Sequence, residues 1–439
     1  MSYDHSVYLN SIFINRCFFR SRIKIFSEIA IIFKKNNNFA KIELLYQMTA
    51  NNQIIRIEPS ILIWARESLG LTLAEVALKL DKDRNTIQQW EYGNAFPTLA
   101  QLEKLAYNIY KRPLAVFFLP KPPKETTPKQ DFRTLPENEI TNLSPDLRLF
   151  IRKAKYNQLV LKQINDDKNP IAKPIHKEFV FEIKNITDNT PNLLRDYFGL
   201  TKRLQESFPN STEAFKYYRD LIEHNGIFVF QYPIKDVRGF SLMDTEFPVI
   251  VLNSGDSPNG KIFSLFHELC HIFFNIGGVF KGYFIEELKK HPNKIEVFCN
   301  QFASDILLPD NDLLNENLVL ENLNNIEWTE ETLKEISNIY KVSKEVVLRK
   351  LLVLGKTDID FYLQKRKTWN EKYKNDSEKK KKTQNGGPSY HTTNLSHLGK
   401  NFVIQVLNNF HEGKLTTSQV ADFLNIKINR IKDYEKKVF

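Results

Sequence analysis

Cysteine is scarce. The 439 residues hold three, Cys17, Cys270 and Cys299, spaced too widely for a disulfide framework or a CxxC zinc ribbon, which points to a reducing compartment. Long apolar runs are also missing. The longest, Ile23 to Phe33, contains Ser27 and Glu28 and falls far short of the ~20 residues a spanning helix needs. No small-residue cleavage site follows it, which argues against a signal peptide. A mean hydropathy of −0.40 argues against a polytopic membrane protein, and a 42% hydrophobic composition excludes a wholly disordered chain. The expectation is a cytoplasmic protein with no membrane partner. At roughly 150 residues per domain, its length predicts about two to four domains.

The net charge of +10 invites a nucleic-acid reading, but its distribution weakens that inference. Residues 1–55 contribute +4 and residues 364–383 contribute +6, whereas residues 121–363 carry −4. Residues 56–120 are nearly neutral at +1, and residues 384–439 add +3.

Residues 1–47 mix aromatic, Ile and basic residues without a clean period, and an orderly pattern begins after Met48. The native chain is therefore expected to start at or near Met48, with residues 1–47 a poorly ordered or non-native extension. Residues 57–119 read as short helices. Ile61, Trp64, Ala65 and Leu69 form a helical stripe ended by Gly70, and Thr72 with Glu75 makes a capping box. The Pro- and Lys-rich segment 120–144 reads as a linker. Residues 145–363 form the main domain, mostly helical, with strands expected at Ile227–Tyr232 and Phe247–Asn253. A charged helix end passing into a linker (364–389) and a small helical unit (390–439) complete the chain.

The strongest chemical motif is His267-Glu268-Leu269-Cys270-His271, an HExxH. On a helix, positions i and i+4 share a face, so two imidazoles can reach one metal while Glu268 points beside it, where a bound water would sit. Ile262, Leu265, Phe266, Leu269, Ile272, Phe273 and Ile276 keep a helical rhythm through the motif. The histidines fall nearly opposite the centre of that stripe, so the helix is expected to bury one face and turn the other toward a different neighbour. Two histidines are too few for a catalytic zinc, which usually takes three protein ligands. Glu296 is the best third candidate, on a helix with Ile295, Phe298, Cys299, Phe302 and Ile306 as its core stripe and Pro309 at its end. No residue stands out as an oxyanion stabiliser; Tyr283, His291 and His224 are within reach by sequence only.

SLFHELCHIFF and IEVFCNQFASDILLP together resemble the ImmA/IrrE family of zinc metallopeptidases, whose signature pairs an HExxH helix with a downstream E-x-x-A-N-x-F-A-x-x-L-L-x-P helix. The second signature stands here as Glu296, Cys299 where Ala is usual, Asn300, Phe302, Ala303, Leu307, Leu308 and Pro309. Arg238–Leu242 and Pro248–Asn253 match the strands that precede the metal helix. The resemblance implies Zn2+ held by His267, His271 and Glu296, with Glu268 as general base. Cys270 stands where a small residue is usual and reads as a buried thiol.

Residues 61–119 resemble the phage-repressor (XRE/Cro) helix-turn-helix, carried by Thr72, Glu75, Ala77, Leu80 and the stretch Trp90-Glu91-Tyr92-Gly93 followed by Pro97-Thr98. A recognition helix is expected from about Asp83 to Trp90. Ile87 and Trp90 would face inward, and Arg84, Asn85, Gln88 and Gln89 outward, where their donor and acceptor groups suit base edges. Residues 386–439 resemble a C-terminal extension of some such fused proteins, with Thr416–Leu424 and Ile426–Ile431 again like a helix-turn pair.

The expected fold class is α+β and mostly helical: an all-α helix-turn-helix domain, a zincin-like metallopeptidase domain with a small β-sheet, and a small helical C-terminal unit. The function implied is a zinc-dependent regulatory endopeptidase that cleaves a transcriptional repressor or similar protein and binds double-stranded DNA; a homodimer is compatible with it. The alternative is a non-proteolytic DNA-binding regulator whose zinc domain senses a signal or binds a partner.

Overall fold

The computed structural model describes residues 54–125, 142–182, 184–187, 189–280, 294–322, 325–383 and 390–439. Residues 1–47 and much of the 120–144 linker, expected above as separate segments, lie largely or wholly outside this set, as do Tyr283 and His291. The architecture is α+β and mostly helical. The described part divides into two compact units, 54–125 with 142–149, and 150–439.

In the first unit, α1 (Pro59–Ser68), α2 (Leu73–Leu80), α3 (Arg84–Tyr92) and α4 (Leu99–Glu103) follow one another closely. Local chemistry sets each boundary. Pro59 opens α1, the Thr72–Glu75 capping box opens α2, and Asp83 caps α3 by accepting from the Thr86 N–H at 2.9 Å. Between α2 and α3, Asp81 takes a left-handed φ of 59°, which makes the turn. Val76, Ala77, Leu80, Ile87 and Trp90 are buried together. Glu91 is buried too, and its carboxylate accepts from Arg66 Nε at 2.7 Å and Nη2 at 2.9 Å. Arg66 also donates to the Leu71 carbonyl at 3.0 Å. One guanidinium on α1 thus ties down both the turn before α2 and the end of α3.

The second unit is built on a four-stranded sheet of order β1-β3-β2-β4, with β1 (Phe228–Tyr232), β2 (Gly239–Leu242), β3 (Val249–Asn253) and β4 (Val279–Phe280). β1 runs parallel to β3, while β2 is antiparallel to both β3 and β4. The first three strands are buried without alternation, as expected when both faces of a sheet are covered. Val229, Ile250 and Leu252 belong to the core shared with α5 (Ser211–His224) and α6 (Pro258–Phe273). From β1, Phe230 packs edge-on to Phe402 and Tyr232 stacks on Phe150.

α6 begins at Ser257, which caps the Gly260 N–H, and Pro258 occupies its first turn. The sequence suggested one face in the core and the histidine face turned toward a different neighbour. Every residue from Ile262 to Phe273 is buried, and Ile276 lies beyond the helix end. The polar side of α6 can be buried because α7 (Lys294–Leu307) and β2 bring polar partners to it. The last carbonyls of α7, orphaned where Pro309 ends the helix, are met by buried side chains: Arg195 donates to Ile306 O, and Gln205 to Leu307 O at 2.8 Å.

Further on, α8 (Glu330–Tyr340) and α9 (Lys344–Val353) lead to α10 (Ile359–Thr383). α10 runs through the Lys-rich stretch that the sequence divided between a helix end and a linker. Its Lys, Glu and Gln residues form helix well, and neither Gly nor Pro intervenes before Gly386. The chain ends in α11 (Tyr390–Leu398), α12 (Lys400–His411), α13 (Thr417–Phe423) and α14 (Ile431–Val438). This C-terminal unit sits on the β1 edge, where Arg219 and Gln231 donate to the Ser396 carbonyl at 2.7 and 3.0 Å. Among the described residues no helix is long and apolar enough to cross a membrane.

Candidate metal centre

Helical spacing places His267 and His271 one turn apart on α6, their Nε2 atoms 3.2 Å from each other. Glu296 enters from the first turn of α7. Its Oε2 lies 3.4 Å from His267 Nε2 and its Oε1 lies 3.2 Å from His271 Nε2. All three residues are buried, and one donor atom of each lies within 4.8 Å of the others. The structure therefore brings together the three ligands expected from sequence.

These separations test whether a metal fits. With bonds of about 2.0–2.1 Å in a tetrahedron, neighbouring ligand atoms stand about 3.3–3.4 Å apart. The observed 3.2, 3.2 and 3.4 Å are of this size, with each imidazole facing a different oxygen of Glu296. Both carboxylate oxygens of Glu296 are buried and accept no regular hydrogen bond, a costly arrangement unless a cation lies before them. A donor set of two imidazoles and one carboxylate suits a divalent metal such as zinc.

Protonation supports the same reading. Burial lowers His267 to about 4, outweighing the Glu296 carboxylate that raises it, so its imidazole is neutral at pH 7. Burial would raise Glu296, but His271 and His267 outweigh it and hold the carboxyl below its ordinary range. Burial would likewise lower His271, yet Cys299 and Glu296 beside it raise it well above its ordinary value. Without a metal, the centre is thus an imidazolium–carboxylate pair that a cation would replace, releasing a proton.

Glu268 lies on α6 between the two histidines in sequence and is itself buried. Ser241 on β2 donates its hydroxyl to Glu268 Oε2 at 2.7 Å, and the Ser241 Oγ in turn accepts the Gly278 N–H at 3.0 Å. The Ser241 N–H returns a bond to the Gly278 carbonyl at 2.9 Å. Gly278 also lies flat against the His271 ring: a Cβ built there would stand 2.5 Å from His271 Cγ. One serine and one glycine thus connect the carboxylate to a candidate ligand. Sequence reasoning assigned neither a role. The available signal was a lone hydroxyl in the otherwise apolar strand GFSL.

Other candidates stand apart. Cys270 is a buried free thiol, raised by burial and hydrogen-bonded to Cys299; it is not among the clustered donors. Asn300 donates to the Glu296 carbonyl of its own helix at 2.9 Å. His224 is exposed at the end of α5, its ring bonded to the Asp220 carbonyl.

In the first unit, Arg84 and Asn85 are exposed on α3, whereas Gln88 and Gln89 are half-buried. Gln88 donates to the Tyr92 hydroxyl at 3.0 Å, and Gln89 bonds both Asn85 and Asn94. The helix expected from Asp83 to Trp90 spans Arg84–Tyr92, with Ile87 and Trp90 buried as anticipated.

Comparison with known families agrees with this division. Residues 222–352 match the model of a peptidase family described as the IrrE N-terminal-like domain, and residues 62–106 match a helix-turn-helix family. A comparison with curated proteins finds no match. The chain carries a helix-turn-helix domain N-terminal to an IrrE-type peptidase-family domain.

Proposed function

We propose that the chain is a zinc-dependent endopeptidase, coupled to a DNA-binding domain, that cleaves a transcriptional repressor or a similar partner protein in the cytoplasm. The observation that carries this reading is the convergence of His267, His271 and Glu296 within a segment that matches a peptidase family. Zinc, when bound, supplies a Lewis acid for the scissile carbonyl and makes a coordinated water more acidic. His267, His271 and Glu296 would hold it, and three protein ligands are the number found where one position is kept for reaction. Glu268 acts as general base, its carboxylate taking the proton of the attacking water. Ser241 orients that carboxylate by anchoring Oε2. The peptidase domain corresponds to residues 145–363 and the DNA-binding domain to residues 57–119, with Arg84, Asn85, Gln88 and Gln89 directed to base edges.

The decisive variant is Glu268→Gln. It should keep stoichiometric zinc, measured by elemental analysis of the purified protein, and lose cleavage of a co-expressed repressor followed on gels. Wild-type cleavage by Glu268→Gln would remove Glu268 from the mechanism. Loss of operator-DNA binding in Arg84→Ala/Gln88→Ala tests the DNA-binding assignment, and unchanged binding would refute it.

A further inference from the structure

The C-terminal unit repeats the helix-turn-helix of the first unit in strict register. Thr416–Lys436 (TTSQVADFLNIKINRIKDYEK) lies over Thr72–Tyr92 (TLAEVALKLDKDRNTIQQWEY) without a gap. Thr416 and Gln419 form a capping box where Thr72 and Glu75 do. Val420, Ala421, Leu424, Ile431 and Tyr434 are buried at the positions of Val76, Ala77, Leu80, Ile87 and Trp90. The turn is made the same way, by Asn425 at φ 52° in place of Asp81 at φ 59°. A 3-10 turn, Ile428–Arg430, then runs straight into α14. Asn394 on α11 braces this arrangement by donating to the Leu424 carbonyl at 2.8 Å and the Tyr434 hydroxyl at 2.9 Å.

The outward faces of the two copies differ. Asp83–Tyr92 holds one basic and two acidic residues, whereas the matching Lys427–Lys436 holds four basic and two acidic. Lys427, Arg430 and Lys432 are exposed at or near the start of the helix. Basic residues there oppose the helix dipole, and Lys is a poor N-cap compared with Asp83. Arg430 pairs with Asp433 one turn on at 3.0 Å, but helix stability does not account for Lys427 and Lys432; an anionic partner does. Exposed Asn429 adds a base-edge donor and acceptor, and exposed Ile428 offers an apolar surface to a thymine methyl.

We propose that the C-terminal unit is a second helix-turn-helix, and that its helix Ile428–Val438 enters the major groove of duplex DNA with Lys427, Arg430 and Lys432 on the phosphates. The fold repeat and charge complementarity carry this assignment, and it does not depend on the peptidase reading or on DNA binding by the first unit.

The test uses the full chain and a fluorescein-labelled mixed-sequence 24-base-pair duplex, read by anisotropy from 50 to 200 mM salt. The background is Arg84→Ala/Gln88→Ala, so that the first unit contributes little. Lys427→Glu/Arg430→Glu/Lys432→Glu should weaken binding at least tenfold and flatten the log–log salt slope by about 2–3, at about 0.9 for each phosphate no longer neutralised. The milder Lys427→Ala/Arg430→Ala/Lys432→Ala should act in the same direction and covers the case in which charge reversal disturbs folding. Lys400→Glu/Lys414→Glu, which changes exposed lysines outside the recognition helix, should alter binding less than threefold. Absence of duplex binding at 50 mM salt would overturn the proposal. So would a triple variant no weaker than the Lys400/Lys414 control, which would leave this face to a protein partner.

Discussion

Gly278→Ala is the sharpest single perturbation of the metal centre, because its backbone effect is negligible and its steric effect is local. Gly278 has no left-handed φ, so alanine is compatible with the backbone there. The added Cβ would stand 2.5 Å from His271 Cγ and 2.9 Å from Nε2, where ordinary van der Waals approach begins at 3.4 Å. His271 Cδ2 stands closer still, so the imidazole must move by about 1 Å, against a tolerance of about 0.2 Å in a metal–ligand bond. Disturbing the groups that position a ligand typically costs about 10–100-fold in metal affinity, or about 1.4–2.8 kcal/mol. The assay is competition for zinc against a chromophoric chelator at pH 7.5, with Gly255→Ala as control. A Cβ at Gly255 meets nothing closer than Asn253 Oδ1 at 3.4 Å, so that variant should bind as wild type. Zinc affinity of Gly278→Ala within threefold of wild type would refute the argument that His271 is a ligand held in place by this glycine.

Ser241→Ala removes a hydrogen bond to a buried carboxylate, worth about 1.5–3 kcal/mol for a charged acceptor; kcat should fall about 10–100-fold while KM and zinc content stay near wild type. Equal kcat in the two proteins would reduce Ser241 to a packing residue. Glu91→Ala leaves the mostly buried Arg66 guanidinium only the Leu71 carbonyl and the exposed Glu67 at 3.4 Å, and should destabilise α1–α3 by about 2–4 kcal/mol, read as faster amide exchange confined to that unit; unchanged protection there would show that the ion pair contributes little. His176 is buried with its ring donating to the Thr245 carbonyl at 3.0 Å, and burial lowers its pKa from 6.5. A depressed histidine contributes stability that is present above pH 6.5 and lost as pH falls, because the unfolded chain takes up the proton first. Urea unfolding at pH 7.5 and 5.5 should show a smaller loss in His176→Gln than in wild type, and an identical loss would exclude His176 as a source of the pH dependence.

What could be read from the sequence was whatever chemistry lies close along the chain. The Thr72–Glu75 box, the burial of Ile87 and Trp90, and the histidine pair on α6 all depend on separations of a turn or less. Glu296 was found only because a second helix signature marks it. Ser241 and Gly278 escaped notice because they meet Glu268 and His271 through strand pairing, and nothing in GFSL or GGVF says which helix lies beneath. The same limit explains Glu91, whose partner Arg66 comes from α1, 25 residues away.

The neighbour that covers the histidine face of α6 was hidden for a related reason. Periodicity treats polar residues as a solvent-facing side, since a lone buried His or Glu is expensive. In this fold the polar face of α6 has its own interior partners: Glu296 before the imidazoles and the Ser241 hydroxyl on Glu268. A polar stripe on an otherwise apolar helix therefore admits two solutions, water or a buried polar counterpart. The C-terminal repeat shows the opposite case, where Lys427 and Lys432 stay exposed although their position opposes the helix dipole. Buried polarity that is matched points inward to chemistry, and exposed charge that is locally unfavourable points outward to a partner.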